Sequence, residues 1–137
     1  MSDRLPDFLS LSDVLEIHEE SLALYGGMHG VRDENGLESA VSQPMAGHSG
    51  GFFHDEPFGM AAAYLYYIAA SQHFNDGNKR AALACALVFL ERYEIEMAVE
   101  DEGLLAITMA VASGDATLAE VRTALEEAAE RHSRARE

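Results

Sequence analysis

The sequence predicts a mainly α fold, a small bundle of helices joined by glycine-rich loops. Three observations lead to this prediction. Apolar residues recur at helical spacing in several segments, glycine or proline separates those segments, and no set of alternating strands is long enough for a sizeable sheet. With 137 residues, 48% of them hydrophobic, the whole chain (1–137) fits one domain with one core.

The first two helices are predicted from their ends. Ser10 and Asp13 have the spacing of a capping box, which predicts that a helix begins at about residue 11. Two glycines after residue 25 are expected to end it. A second, short helix over about 36–43 is closed by Pro44, because proline removes a backbone donor and disfavours helix before it.

The segment 45–57 has no helical or strand period. It contains three glycines, two histidines and two phenylalanines. Such a segment is predicted to be a flap, either a mobile loop or a small hairpin.

The second half of the chain predicts four more helices. The decapeptide Ala81–Leu90 is apolar on every side, so the helix that contains it must be the buried centre of the bundle. The predicted elements are helices over about 57–72, 78–93, 104–112 and 117–131, a short extended piece at 95–99 and a frayed tail at 132–137.

Composition excludes several classes of partner. The net charge of −15 weighs against direct binding to nucleic acid or to an anionic membrane, since both need a cationic surface. The longest apolar run, ten residues, is half of what a bilayer span needs. One cysteine, Cys85, allows no internal disulfide, and no signal-peptide pattern is found, so a cytoplasmic location is expected.

Two adjacent cations, Lys79 and Arg80, are a local exception in this acidic chain. They fall at the predicted start of the central helix, where unpaired N–H groups and the helix dipole already attract anions. Gly77 removes a Cβ that would keep a ligand away, and Asn78 adds a donor. Cations at a helix start cost roughly 0.3–1 kcal/mol each, so local stability does not explain them, whereas a bound polyanion does.

Asp76 adds a hard oxygen ligand of the kind that Mg²⁺ takes together with substrate phosphates. A phosphate cradle, a cation pair and a carboxylate within five residues predict a nucleoside triphosphate site. The alternative is that Asp76 only caps the helix and that Lys79 and Arg80 are solvated.

These residues resemble the signature of the Fic/Doc superfamily. That signature is a histidine, any residue, phenylalanine, any residue, an acidic residue, glycine or alanine, asparagine and a basic segment. The residues that fit it are Phe74, Asp76, Gly77, Asn78, Lys79 and Arg80. The asparagine–lysine–arginine run is the form found in the Doc branch, the toxins of type II toxin–antitoxin pairs.

The resemblance extends to both flanks of the motif. The segment VRDENGLESAVSQP, from Val31, resembles the one before the Doc flap, and the helix AALACALVFLE resembles the one after the Doc motif. About residues 9–110 are covered. The resemblance implies a Fic/Doc-type helical core with a short flap ahead of the central helices.

One position departs from the signature. Gln72 occupies the place of the family's catalytic histidine, which takes the proton from the acceptor hydroxyl, and His73 follows one place later. Three alternatives stay open. An irregular helix end lets His73 serve as the base, or Gln72 orients the nucleophile and weak transfer survives, or the protein binds nucleotide and partner without transfer.

The resemblance implies a Doc-like toxin that transfers a phosphoryl group, in preference to a nucleotidyl group, from Mg²⁺-bound ATP to a hydroxyl of a target protein. Leu83 favours the phosphoryl group, because AMP-transferring members have a further arginine there. The expected target is a translation factor, and the expected regulator is a separate antitoxin protein, since no inhibitory motif is found in the chain. The alternative is a catalytically impaired Fic-fold protein that binds nucleotide or a partner.

Roles for individual residues follow from the same resemblance. Those expected in catalysis are Gln72, His73, Asp76, Lys79 and Arg80. Those expected to bind the nucleotide and its phosphates are Phe74, Gly77, Asn78, Lys79 and Arg80, and Asp76 is the expected Mg²⁺ ligand.

Overall fold

The computed structural model describes residues 5–137. In this part of the chain it is mainly helical, which confirms the predicted fold class. The helices are α1 (Leu11–Tyr25), α2 (Glu34–Ser42), α3 (Phe58–Ala69), α4 (Asn78–Glu91), α5 (Glu102–Ala112) and α6 (Leu118–Ala135).

The caps of α1 and α2 explain where these helices begin. Ser10 and Asp13 form the predicted capping box: the Ser10 hydroxyl accepts from the Asp13 N–H at 3.0 Å, and the Asp13 carboxylate accepts from the Ser10 N–H at 2.8 Å. Helix α2 begins two residues earlier than predicted, because the Asp33 carboxylate accepts from the Gly36 N–H and caps it. A 3₁₀ turn, Gln43–Met45, follows.

The flap is a small hairpin, one of the two predicted alternatives. Strand β1 (Gly47–His48) pairs antiparallel with β2 (Gly51–Phe52). The Phe52 ring meets the edge of the Phe8 ring at 5.4 Å between centroids. Beyond the hairpin, Arg122 on α6 donates two hydrogen bonds, of 2.6 and 2.8 Å, to the Asp55 carboxylate. They fix the end of the flap to the bundle.

Helices α3 and α4 form the buried centre. They pack more extensively against each other than any other pair, with α6 against α3 and α1 against α4. No side chain from Ala81 to Leu90 is exposed, which confirms the prediction made from that run. Both helices carry buried alanines, among them Ala61, Ala62, Ala82 and Ala86.

Several predicted boundaries are corrected. Helix α3 ends at Ala69 and not at residue 72, so residues 70–77 form a loop; α4 ends at Glu91 and not at residue 93, and α5 begins at Glu102 and not at residue 104. The segment 95–99, predicted to be a short extended piece at most, lies outside every helix and strand. The C-terminal helix continues through the predicted frayed tail to Ala135, and beyond it Arg136 pairs with Glu96 at 2.8 Å.

The described residues include no helix that combines the length and the apolarity needed to cross a bilayer.

A buried hydroxyl ties the segment before α1 to α3. The Tyr64 hydroxyl accepts from the Leu9 N–H at 2.8 Å and donates to the Leu9 carbonyl at 3.3 Å. Burial raises the pKa of this phenol far above its usual range, so the group stays protonated and able to donate. Tyr64→Phe should lower the free energy of unfolding by about 1–3 kcal/mol, because a buried N–H and carbonyl lose their partner.

Urea denaturation measures this effect. The matched control is Tyr66→Phe on the same helix, since the half-buried Tyr66 hydroxyl bonds no other described residue. The control should change the free energy by less than about 0.5 kcal/mol. Equal losses in the two variants would contradict the assignment.

Candidate functional site

A cavity of about 670 Å³ opens where α3 ends and α4 begins. The loop between these helices, the first turn of α4 and the end of α5 form its walls. Its volume lies in the range of small-molecule sites. Six predicted site residues line it, namely Gln72, Asp76, Gly77, Asn78, Lys79 and Arg80. The other two, His73 and Phe74, do not.

The Asn78 side chain closes the loop. Its Oδ1 accepts from the Phe74 N–H at 2.9 Å, and its Nδ2 donates to the Phe74 carbonyl at 3.0 Å. Both ends of the amide are therefore used inside the protein. Although Asn78 borders the cavity, as predicted for a phosphate-binding residue, its amide acts on the loop.

Phe74 lies beneath the loop and supports it from the core. Its side chain is fully buried, and its ring stacks on His18 at 3.7 Å between centroids. His18 Nε2 donates to the Asp76 carbonyl at 2.7 Å. The predicted nucleotide-binding role of Phe74 has no support from this position, because the ring faces the core.

A second loop, between α1 and α2, lies alongside the first. Val31 and Phe74 form an antiparallel β-bridge, and the Asn75 N–H donates to the Gly30 carbonyl at 3.0 Å. The Asn75 side chain donates to the His29 carbonyl, also at 3.0 Å. These contacts fix the loop between α3 and α4, called the site loop, to the loop between α1 and α2.

The Asp76 carboxylate is exposed and held in a defined orientation. Its Oδ1 accepts from the Gly77 N–H at 3.0 Å and its Oδ2 from the Met28 N–H at 3.2 Å. Gly27 permits this approach, because its φ is +127° and an added Cβ would lie 3.0 Å from Asp76 Oδ2. Each carboxylate oxygen keeps a further lone pair, so Asp76 fits the single-carboxylate attachment that Mg²⁺ uses beside phosphates.

Gly77 precedes α4 in the left-handed conformation, with φ +76° and ψ +22°, where glycine carries little strain. No side chain caps the helix there. The first N–H groups of α4 therefore have no side-chain cap among the described residues, and residues 77–80, at the positive end of the helix dipole, line the cavity.

The cations divide into two groups. The chain has 24 acidic and nine basic residues, and five arginines pair with carboxylates. These are Arg92, Arg122, Arg131, Arg134 and Arg136. Arg32, Lys79 and Arg80 have no carboxylate partner within residues 5–137. Two of these three line the cavity, and the third bonds a residue that lines it.

Residues 8–90 match the family model described as "Fic/DOC family". The chain belongs to the Fic/Doc family. The match includes α1 to α3, the whole site loop and all of α4 except its last residue.

Two relatives place the chain in the Doc branch of the Fic/Doc family. "Protein kinase doc" of Escherichia phage P1 is 30% identical over 117 residues, which are 85% of this chain and 91% of the relative. "Toxin Doc" of Mycolicibacterium smegmatis is 34% identical over 96 residues, which are 70% of this chain and 72% of the relative.

His73 does not replace the Fic/Doc histidine in this geometry. Its side chain is buried, and its Nε2 donates to the Tyr67 carbonyl at 3.0 Å, near the end of α3 where carbonyls lack helical partners. Its Nδ1 is buried without a hydrogen-bond partner among the described residues. The alternative in which His73 serves as the base therefore gains no support, since the ring lies outside the cavity wall.

Gln72, which the sequence predicts to stand at the position of the Fic/Doc histidine, is exposed in the cavity wall. Its Oε1 accepts from Arg32 Nη1 at 2.7 Å. Sequence reasoning missed Arg32, His18 and Met28 because they act from another loop and helix. The one signal in the sequence was that Arg32 is among the few cations in the middle of the chain.

The two hydrogen bonds between the Asn78 amide and the Phe74 backbone, called the Asn78 clamp, predict a large effect from one substitution. Asn78→Ala should lower the free energy of unfolding by about 1–3 kcal/mol, because the Phe74 N–H and carbonyl lose their partner. Chemical denaturation measures the loss, and faster hydrogen exchange at the Phe74 amide locates it.

Asn75→Ala is the matched control for the clamp. The exposed Asn75 amide makes one hydrogen bond, to the His29 carbonyl, so about 1 kcal/mol or less should be lost. If the two variants lost the same free energy and Phe74 exchange stayed slow, the clamp would have no special role.

Proposed function

We propose that this protein is a Doc-like toxin that binds a nucleoside triphosphate with Mg²⁺ in the cavity. It transfers the terminal phosphoryl group to a hydroxyl of a target protein. An antitoxin protein is the proposed regulator, and a translation factor is the proposed class of target. Support comes from the relatives, one of which is named a protein kinase and the other a toxin.

The observation that carries the proposal is the placement of unpaired cations. In a chain with net charge −15, an arginine or lysine finds a carboxylate easily, and five described arginines do. Lys79 and Arg80 have no carboxylate partner among the described residues, although they lie in the first turn of α4, where a cation opposes the helix dipole. A polyphosphate removes this unfavourable arrangement, because it satisfies both side chains and the free N–H groups together.

Arg80 is held in place by an aromatic ring. Its guanidinium lies 4.5 Å from the centroid of the Tyr25 ring, at the end of α1. Such a cation–π contact limits the side chain's freedom while leaving the N–H donors at the ring's edge for a ligand.

Asp76 is the residue that would hold magnesium. The ion would neutralise phosphate charge when bound beside the nucleotide. The Met28 and Gly77 N–H groups keep the carboxylate oriented whether or not an ion is present.

The transfer step forms a bond between the target's hydroxyl oxygen and the terminal phosphorus, and it breaks the bond from that phosphorus to the bridging oxygen of the leaving diphosphate. Lys79 and Arg80 offset the charge on the phosphoryl oxygens. The hydroxyl proton passes to water, because Gln72 has no titratable group. Positioning and charge therefore supply the catalysis, and the step is slow.

A second candidate, binding without transfer, is favoured by one specific observation. The carbonyl oxygen is the only hydrogen-bond acceptor of the Gln72 side chain, and it is already bonded to Arg32. With His73 turned into the core, no described side chain at this position can take a proton from a hydroxyl.

Calorimetry with Mg²⁺ and ATP tests nucleotide binding. Asp76→Asn, Lys79→Gln and Arg80→Gln should each weaken binding about 10- to 100-fold, as expected for lost charged contacts. Glu38→Gln on α2 and Arg134→Gln on α6 change the net charge equally at exposed sites and serve as controls. Absence of heat with the unaltered protein, or equal affinity in site and control variants, would refute the proposed site.

Gln72→His tests transfer. A base at this position should raise the rate of ³²P transfer from ATP to lysate proteins by about 10²–10⁴-fold. His73→Leu should leave the rate per folded molecule unchanged, because the buried imidazole takes no part. Labelling in neither the unaltered protein nor Gln72→His would leave the second candidate as the function.

The pH profile of the Gln72→His variant provides a further measurement. Arg32 would lie beside the new imidazole, and a neighbouring cation disfavours its protonated form, so the pKa should fall below the usual value of about 6.5. The rate should therefore rise at pH values below about 6.5 and level off above. Adding Arg32→Gln should move the inflection to higher pH; an unmoved inflection would contradict the contact.

A further inference from the structure

Arg32 is a cation that the Fic/Doc signature does not account for. It lies in the loop between α1 and α2, its side chain is exposed, and it has no carboxylate partner within residues 5–137. Its backbone N–H, and not its side chain, serves the fold by donating to the His73 carbonyl at 2.8 Å. The side chain makes one described hydrogen bond, from Nη1 to Gln72 Oε1 at 2.7 Å.

The chemistry of this bond determines what Gln72 presents to the cavity. A guanidinium can only donate, so the Gln72 atom that faces it must be the carbonyl oxygen. The amide NH₂ is then left without a described partner, in a side chain that lines the cavity wall. Of the five guanidinium N–H groups, four also remain without a described partner. The pair offers several donors and one positive charge.

We propose that Arg32 and Gln72 form a second anion subsite, which binds a phosphoryl group at the end of the cavity formed by residues 69–72. A planar guanidinium fork matches the oxygens of a phosphate, and the amide adds a donor beside it. The phosphoryl group comes either from the terminal position of a nucleoside triphosphate or from a phosphorylated side chain of the target protein. The first source rests on the proposed function, and the second does not.

Fold stability does not explain the pair. Both side chains are exposed, and a hydrogen bond between exposed groups contributes little to stability. An unpaired arginine is also unusual in this chain, where the other described arginines outside the cavity have carboxylate partners. A ligand anion accounts for both facts.

Calorimetry on the full chain tests the subsite with four probes: Mg²⁺–ATP, Mg²⁺–ADP, inorganic phosphate, and a phosphothreonine peptide compared with its unmodified twin. The variants are Arg32→Gln, which removes the charge, and Gln72→Glu, which keeps the side-chain shape but neutralises Arg32 with a carboxylate. Arg134→Gln on α6 is the charge-matched control. Thermal melting checks that each variant is folded.

The two sources give different results. If the terminal phosphate of ATP occupies the subsite, both variants should bind ATP about tenfold or more weakly and ADP nearly unchanged. If a phosphorylated side chain occupies it, the phosphopeptide should lose affinity by a similar factor while ATP and ADP do not. A loss in inorganic phosphate binding accompanies either result.

Two outcomes would overturn the subsite. One is that neither variant changes any affinity more than Arg134→Gln does. The other is an equal loss for ATP and ADP with no change for phosphate or phosphopeptide, since Arg32 would then act on phosphates common to both nucleotides. Failure of the proposed function is distinct, because it appears as no nucleotide binding by the unaltered protein.

Discussion

The amide of Asn78 bonds both the N–H and the carbonyl of Phe74, and the geometry of the site depends on this clamp. It joins the first residue of α4 to the loop four residues earlier, so the loop turns back tightly over the end of the helix. Phe74 is then held in the core against His18, and His18 in turn bonds the Asp76 carbonyl. Asp76, Gly77 and the N–H groups of α4 thereby face one cavity, because the backbone between Phe74 and Asn78 is fixed on both sides.

The strong acidity of the chain makes its cations informative. A surface ion pair contributes little to stability, yet carboxylates are so frequent here that an arginine without one is the exception. The exceptions in the described residues gather around the cavity at the start of α4, where Lys79 and Arg80 also work against the helix dipole. Lys79 and Arg80 are neighbours in the sequence, but Arg32 reaches the same cavity wall from another loop, which supports the polyanionic ligand proposed above.

The sequence predicts the helices and the local motif well, because caps, glycines and apolar periods act within a few residues. Ser10 with Asp13 begins α1, and the apolar run from Ala81 identifies the buried centre. Contacts between distant segments could not be predicted. Met28 orients Asp76, His18 holds its carbonyl and Arg32 holds Gln72, all from residues 40 or more positions away. The end of α3 also differs from the prediction: His73 bonds the Tyr67 carbonyl in the last turn of that helix, and the loop that follows pairs with Val31 in a distant segment.

His73 lies one place after Gln72 in the sequence, and its hydrogen bonds oppose a shift that would bring it into the place of Gln72. Bringing His73 into the cavity would break its bond to the Tyr67 carbonyl and the two bonds that its own carbonyl accepts from the N–H groups of Arg32 and Asp33. Gln72 therefore determines the chemistry at this position. A neutral imidazole there has one N–H donor and one nitrogen that can take a proton, whereas an amide has donors and is never a base. In the proposed site, an amide at this position cannot remove a proton, and its NH₂ end is left for an anion because Arg32 bonds the carbonyl end.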